Sequence, residues 1–199
     1  MIFNPLKKKR VFIIAEAGVN HNGRMNLARK LVDVAATAGA DFIKFQAFKS
    51  RNLVTRNLDK ANYQKKSGRP LESQYEMLKK LELSQDELTE LFTYCVKKKI
   101  GFMASAFDQE SLRFILNMDI EYLKIPSGEI TNIPYLRLVG RKNKKVILST
   151  GMSDINEIKM AVKVLRKSGL AKKNLTILHC NTEYPTNFSD VNFCLLYTS

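Results

Sequence analysis

The stretch EYLKIPSGEI, residues 121–130, decides how the chain is read. It begins as a buried strand with Tyr122, Leu123 and Ile125, turns at Pro126-Ser127-Gly128, and ends on a carboxylate, Glu129. Lysine and glutamate are seldom fully buried without a partner, because an unpaired charge in a core is costly. Lys124 in an apolar strand, followed at once by a hydroxyl, a glycine and an acid, therefore has two readings. One is a strand end closed by a structural Lys124–Glu129 ion pair. The other is an anion-handling site at the mouth of a strand.

The flanking sequence favours the second reading. VFIIA, residues 11–15, is a continuous apolar run, as expected of a strand covered on both faces, and it ends at Glu16. A polar loop, AGVNHNG, leads to a helix that Asn26 is expected to cap, with Leu27, Leu31, Val34 and Ala35 on one face. DFIKFQAF, residues 41–48, alternates as a second strand and puts Lys44 and Gln46 on one face near its C-terminal end. Residues 49–83 form a long connection with a short helix near its end, and SQDE, residues 84–87, has the capping-box pattern of a further helix. IGFMASAF, residues 100–107, is a third strand carrying Ser105, and a helix over 108–117 returns to the opening stretch as the fourth. Pro134 opens the next helix, VILSTGM (146–152) is the fifth strand with Ser149 at its end, Asp154 caps a helix closed by Gly169, and LTILHC (175–180) is the sixth strand.

Six alternations of strand and helix imply parallel strands with right-handed crossovers. A doubly wound sheet and a (β/α)8 TIM barrel both have that order. Polar residues recur at successive strand ends: Glu16, Lys44 with Gln46, Ser105, Lys124 to Glu129, Ser149, and Asn181 to Tyr184. A barrel gathers such ends at one mouth, whereas an open sheet spreads them along an edge. Neither GxGxxG after the first strand nor GxxxxGK[ST] is present. The expected fold is thus an α/β (β/α)8 TIM barrel of which about six units are present.

Composition fits that class. The 199 residues are 45% hydrophobic and 26% charged, and no apolar run nears the roughly 18 residues of a membrane span. The N-terminal MIFNPLKKKR lacks the apolar region of a signal peptide, so a cytoplasmic protein is expected. Cys95, Cys180 and Cys194 have no metal-ligand spacing and read as reduced thiols. The net charge of +14 raises nucleic acid as a partner. Yet each dense run, Lys7 to Arg10, Lys97-Lys98-Lys99, Arg141 to Lys145 and Lys172-Lys173, lies just before a predicted strand, the last three follow predicted helices, where cations complement the dipole, and aromatics do not interleave with them. No nucleic-acid or membrane partner is expected.

Two lysines and three serines at strand ends suit a small, doubly charged anion. Lys44 and Lys124 supply charge, Ser105, Ser127 and Ser149 supply hydroxyl donors, and Glu16 and Glu129 can bind sugar hydroxyls or act as acid and base. Two other functions stay open on these residues alone: a Schiff-base aldolase with Lys44 or Lys124 as the amine, and a non-catalytic basic binding module.

IIAEAGVNHNG, KFQAF, ESQYEMLKKLELS, LKIPSGE, ILSTGM and LHCNTEYPT, in this order, resemble the N-acetylneuraminate (sialic acid) synthase family over residues 11 to about 192. The resemblance implies condensation of phosphoenolpyruvate with N-acetylmannosamine or a related N-acetylated amino sugar, giving a nonulosonic acid and inorganic phosphate. It implies that Lys44, Ser105, Lys124, Ser127 and Ser149 cradle phosphoenolpyruvate, with Thr182 or Asn181 beside the same ligand. Glu16, Gln46 and Tyr184 match positions around the sugar, and Glu129 the carboxylate at the reacting centre; Glu129, Glu16 and Lys124 are the expected catalytic residues. A divalent metal, Mn2+ or Mg2+, is implied for the full-length enzyme, which is expected to be a homodimer. Its ligands belong to the last two barrel strands, and neither His21 nor His179 occupies their positions, so none is assigned in this chain.

The sequence also departs from the family. Ala104-Ser105-Ala106-Phe107 stands where the family often has STPF, and in the long loop Tyr63 and Gln64 are only candidates for a sugar contact. Residues 193–199 (FCLLYTS) are expected to be a non-native tail, with the final strands and a C-terminal antifreeze-like domain missing and the fragment alone inactive. YQKKSGRPLESQYEML and LHCNTEYPT look somewhat like the synthases of bacterial relatives such as legionaminic acid; pseudaminic acid is a further option.

Overall fold

The computed structural model describes residues 11–56, 73–183, 185–192 and 194. Tyr63, Gln64, Tyr184 and nearly all of the expected tail lie outside the described residues. The chain divides into two compact units, the boundary falling between Phe114 and Ile115.

The N-terminal unit has three parallel strands in chain order: β1 (Ile14–Gly18), β2 (Phe42–Ala47) and β3 (Gly101–Ala106). Between them run α1 (Met25–Thr37), the short α2 (Ser50–Leu53), α3 (Gln74–Leu81) and α4 (Gln85–Lys97). One face of the sheet carries Ile43, Phe45, Phe102 and Ala104, all buried. The Phe45 and Phe102 rings stack at 5.9 Å, and Phe92 of α4 meets Phe102 edge-on at 5.9 Å. Leu88, Leu91 and Cys95 of α4 and Ala28 and Val32 of α1 complete this layer. Each large side chain removed from water here contributes about 1.5–3 kcal/mol.

Two expectations are corrected in this unit. The first strand begins at Ile14 and includes Glu16, rather than spanning residues 11–15. Before Ile14 the chain is tied to the start of β2 without entering the regular ladder: the Ile13 carbonyl accepts from Asp41 N (2.9 Å) and Phe42 N (3.2 Å), the Asp41 carboxylate accepts from Ile13 N at 2.9 Å, and Val11 and Ile13 are exposed. Asn26 is not a cap; Arg24 holds that position in an extended conformation without a side-chain bond, and the helix starts at Met25. Gly23 sets the entry, with φ +68° and a Lys80 carbonyl 1.9 Å from where a Cβ would stand.

The C-terminal unit holds β4 (Tyr122–Ile125), β5 (Lys145–Ser149) and β6 (Leu175–Leu178), again parallel and in chain order. The helix α5 (Gln109–Asn117) crosses the unit boundary, and α6 (Ile133–Lys142) and α7 (Ile155–Lys167) separate the three strands. Leu123, Ile125, Val146 and Leu148 are buried, as are Leu136 and Val139 of α6 and Ala161 and Leu165 of α7. Gly140 lets α6 and α7 approach, since an added Cβ would lie 2.8 Å from the Leu165 carbonyl oxygen. The helix starts follow the expected chemistry: Ser84 and Asp154 each close a capping box with a glutamate three residues on, and Asn132 caps α6 ahead of Pro134.

Several basic residues are committed to the fold. Lys144 donates to the carbonyls of Met118 (2.9 Å) and Ile120 (3.1 Å), Lys145 pairs with Glu121 at 2.6 Å, and Lys98 pairs with Asp33 at 2.6 Å. Among the described residues no helix is long and apolar enough to cross a membrane.

Candidate active site

In the N-terminal unit four of the expected site residues share one face of the sheet. Lys44 and Gln46 stand two apart on β2, Glu16 is the register partner of Lys44, and Ser105 is the register partner of Gln46. Glu16 Oε2 lies 2.6 Å from Lys44 Nζ. The register slips between Glu16 and Gly18, and Gly18 has φ +53°. A Cβ on Gly18 would stand 3.3 Å from Glu16 Oε1 and 3.7 Å from Gln46 Nε2, so both side chains converge over that glycine. Ser105 is buried, and its Oγ has no hydrogen-bond partner among the described residues. A buried hydroxyl without a partner is uncommon and unfavourable.

The loop after β2 is anchored by carboxylates that sequence reading did not single out. Glu82 accepts from Ser50 N (3.0 Å), the Ser50 hydroxyl, Lys49 Nζ (3.3 Å) and Lys79 Nζ (3.2 Å). Burial opposes the charge of Glu82, yet these donors bring its carboxyl down to about 2. Asp108 accepts from Lys49 N (2.8 Å), Ser111 N (3.0 Å), Ser111 Oγ (2.7 Å) and Asn52 Nδ2 (3.2 Å). Burial is again outweighed, and its carboxyl is lowered. The only cue in sequence was acids flanking elements that the topology later brings together.

His21 is fully buried in the β1–α1 loop, its ring 6.2 Å from Phe45. Nδ1 accepts from Gly23 N at 3.0 Å, which places the proton on Nε2, and burial lowers its pKa against the opposing charge of Glu87. Its ring contact is on the Phe45 face of β2, opposite the Lys44 face.

In the C-terminal unit Lys124 and Ser149 also share a face, because Lys124 pairs with Ile147 and Ser149 follows two residues later. Lys124 is half-buried between the buried Leu123 and Ile125. Ser127 to Glu129 form a single 3-10 turn after Pro126, and Asn132 Nδ2 donates to Glu129 Oε2 at 2.6 Å. Gly151 is the centre of this group. A Cβ added there would meet Thr182 Cγ2 at 2.8 Å, Ser127 Oγ at 3.4 Å and the carbonyl carbon of Asn181 at 3.6 Å. Cys180 Sγ lies 3.3 Å from Ser149 Oγ, a contact not expected from sequence, and Thr150 Oγ1 ties the end of β5 to the Leu178 carbonyl at 2.7 Å. His179 Nε2 accepts from Asn192 N at 3.1 Å. Among the described residues no group of three or more His, Cys, Asp or Glu is placed to hold a metal ion.

Comparison with known proteins matches residues 31–198 to the NeuB family model. The chain is 50% identical over 184 residues to N,N'-diacetyllegionaminic acid synthase of Campylobacter jejuni, covering 92% of this chain and 55% of that protein. It is 43% identical over 189 residues to the synthase of the same name from Legionella pneumophila, covering 94% and 53% respectively. It thus spans about half the length of these curated relatives. Among solved structures it resembles the N-acetylneuraminic acid (sialic acid) synthetase of Leptospira borgpetersenii, crystallised with citrate, at a TM-score of 0.80 and 35% identity over 96% of this chain and 61% of that one. The chain accordingly has the α/β architecture expected from its sequence, six β/α units of a TIM barrel.

Proposed function

This chain belongs to the NeuB family of sialic and legionaminic acid synthase-type enzymes, and on that premise we propose that it supplies much of the barrel of a transferase condensing phosphoenolpyruvate with a 2-acetamido sugar. The observation that carries the reading is the buried Lys44 ammonium on the same sheet face as the Ser105 hydroxyl, which has no hydrogen-bond partner among the described residues. By the family resemblance, Lys44, Ser105, Lys124, Ser127 and Ser149 are assigned to the phosphate and carboxylate of phosphoenolpyruvate, with Asn181 or Thr182 beside it. Glu16, Gln46 and Tyr184 are assigned to the sugar.

In the reaction the methylene carbon of the enol attacks the sugar aldehyde, forming the new carbon–carbon bond. Water adds to the resulting oxocarbenium carbon; the new hydroxyl's proton goes with inorganic phosphate as the carbon–oxygen bond breaks and a ketone forms, and the water's other proton balances the one that the former aldehyde oxygen takes up to become a hydroxyl. Glu129 is the group assigned to the proton that the water loses on adding, its carboxylate oriented by the Asn132 amide. The lysines stabilise the phosphate as charge accumulates on it.

Two of the relatives make a product named for two acetyl groups, which favours a sugar with two acetamido substituents over N-acetylmannosamine. The test is phosphate release from phosphoenolpyruvate by the full-length protein with Mn2+ and a panel of 2-acetamido and 2,4-diacetamido sugars. Sugar-dependent release is expected, strongest with the diacetamido members. No sugar-dependent release with any member overturns the proposal. Borohydride with pyruvate is expected to trap no adduct; a covalent adduct at Lys44 or Lys124 selects the Schiff-base aldolase.

A further inference from the structure

We propose that Glu16 is a resident counterion of Lys44 that competes with the anionic substrate for this ammonium, and that anion binding hands the Glu16 carboxylate to the hydroxyl-bearing substrate. The inference deepens the reading above and rests on its assignment of Lys44 to an anion. Glu16 thereby becomes the element that couples the two substrates.

The two partners of the ion pair are unequal. The Lys44 side chain is 10% exposed and that of Glu16 53%. A buried ammonium stripped of its counter-charge is strongly disfavoured, so Lys44 is expected to hold an anion at all times. A carboxylate already half in water loses little by leaving. The pair is therefore stable as an arrangement and yet exchangeable on the Glu16 side.

Glu16 also leaves the face incompletely satisfied. It meets the charge of Lys44, but Ser105 Oγ, buried one strand further on the same face, has no partner among the described residues. An ammonium offers three donors, and a hydroxyl adds a fourth. A multiply charged oxyanion has acceptors to spare for the Ser105 hydroxyl after meeting the ammonium, and the Glu16 carboxylate on β1 leaves that hydroxyl unmet among the described residues. The orphan hydroxyl thus points to a second occupant, independently of the ion pair.

The local backbone allows the exchange. The register slip between Glu16 and Gly18 lies where β1 leaves the ladder, and bulges of this kind re-aim side chains. Glu16 Oε1 and Gln46 Nε2 already converge over Gly18. A carboxylate released from Lys44 therefore stands beside a carboxamide, and together they offer the mixed donors and acceptors that a polyol requires.

The experiment measures inorganic phosphate binding to the full-length protein and to Glu16→Gln by calorimetry, with the sugar of the 2-acetamido and 2,4-diacetamido panel that gives the strongest phosphate release as the second probe. Glutamine keeps the size and hydrogen-bonding atoms of Glu16 and removes the competing charge, so phosphate is expected to bind roughly tenfold tighter in the variant. In the wild type, saturating phosphate is expected to tighten sugar binding several-fold, and in Glu16→Gln that gain is expected to vanish. Phosphate binding that is equal or weaker in the variant overturns the inference while leaving the anion site standing. A wild-type protein whose sugar affinity ignores phosphate overturns it without any variant, which covers the case in which Glu16→Gln does not fold. If the folded wild type binds neither phosphate nor phosphoenolpyruvate, the assignment of Lys44 falls, and the inference with it.

Discussion

In the N-terminal unit the candidate site is a buried ammonium held against a carboxylate, whereas in the C-terminal unit Lys124 and Glu129 are accompanied by a thiol–hydroxyl contact and by a hydroxyl, a methyl and backbone packed close to Gly151. The first is organised by charge and tolerates some change of shape. The second is organised by close approach, so a single added methyl meets Thr182 and Ser127 at once. Changes that remove charge and keep volume are expected to damage the N-terminal group, and changes that add volume without charge the C-terminal one.

The largest effect is expected from Lys44→Met, which keeps the stem and deletes the charge. The full-length protein is expected to lose about a thousandfold in kcat/KM for phosphoenolpyruvate. A loss below tenfold, measured by phosphate release, would break the contrast by showing that charge on β2 is dispensable. Next is Gly151→Val, which fills the space between Thr182 and Ser127. The KM for phosphoenolpyruvate is expected to rise about 10- to 100-fold, with a smaller change in kcat. An unchanged KM would mean that no ligand passes that glycine.

Glu82 lies in neither group and tests whether the anchor after β2 acts through stability alone. Its folded carboxyl, at about 2, is depressed below the ordinary value of 4.5, so its contribution is present above pH 4.5 and is lost as pH falls toward 2. Glu82→Gln is expected to lower stability at pH 7 by about 2 kcal/mol and to flatten the acid limb of a denaturation series between those pH values. The smallest effect is expected from Cys180→Ala, since a thiol is a weak hydrogen-bonding partner for Ser149. A two- to fivefold rise in KM for phosphoenolpyruvate, reversed in Cys180→Ser, would show that the contact orients the hydroxyl. Equal kinetics in both variants would make it incidental.

Periodicity and capping chemistry made most of the fold legible. Ser84 and Asp154 announce their helices because the capping box satisfies local backbone donors, a short-range requirement visible in four residues. Asn26 misled because the start of α1 is set by Gly23 packing against the Lys80 carbonyl, which no local pattern reveals. The start of β1 was misplaced for a related reason: apolar character continues back to Val11, but the partner strand begins only at Phe42. The strand positions of Lys44, Gln46, Ser105 and Ser149, and the faces they share, were readable from alternation and strand ends. Gly151 and Cys180 were not, since the first matters through what it lacks and the second through a neighbour 31 residues away. The partnerless state of Ser105 is a property of packing and is silent in sequence.

The thiol of Cys180 beside Ser149 offers an optical handle on the C-terminal group. Burial pushes the Cys95 thiol up to about 12, which leaves it inert toward thiol reagents, and Cys194 is exposed and open to replacement by serine. Cyanylation of Cys180 would then place a nitrile next to the Ser149 hydroxyl, and its infrared stretching frequency would report the local electric field directly. Titrating such a labelled protein with phosphate would turn the arrival of an anion into a frequency shift, read in solution without turnover.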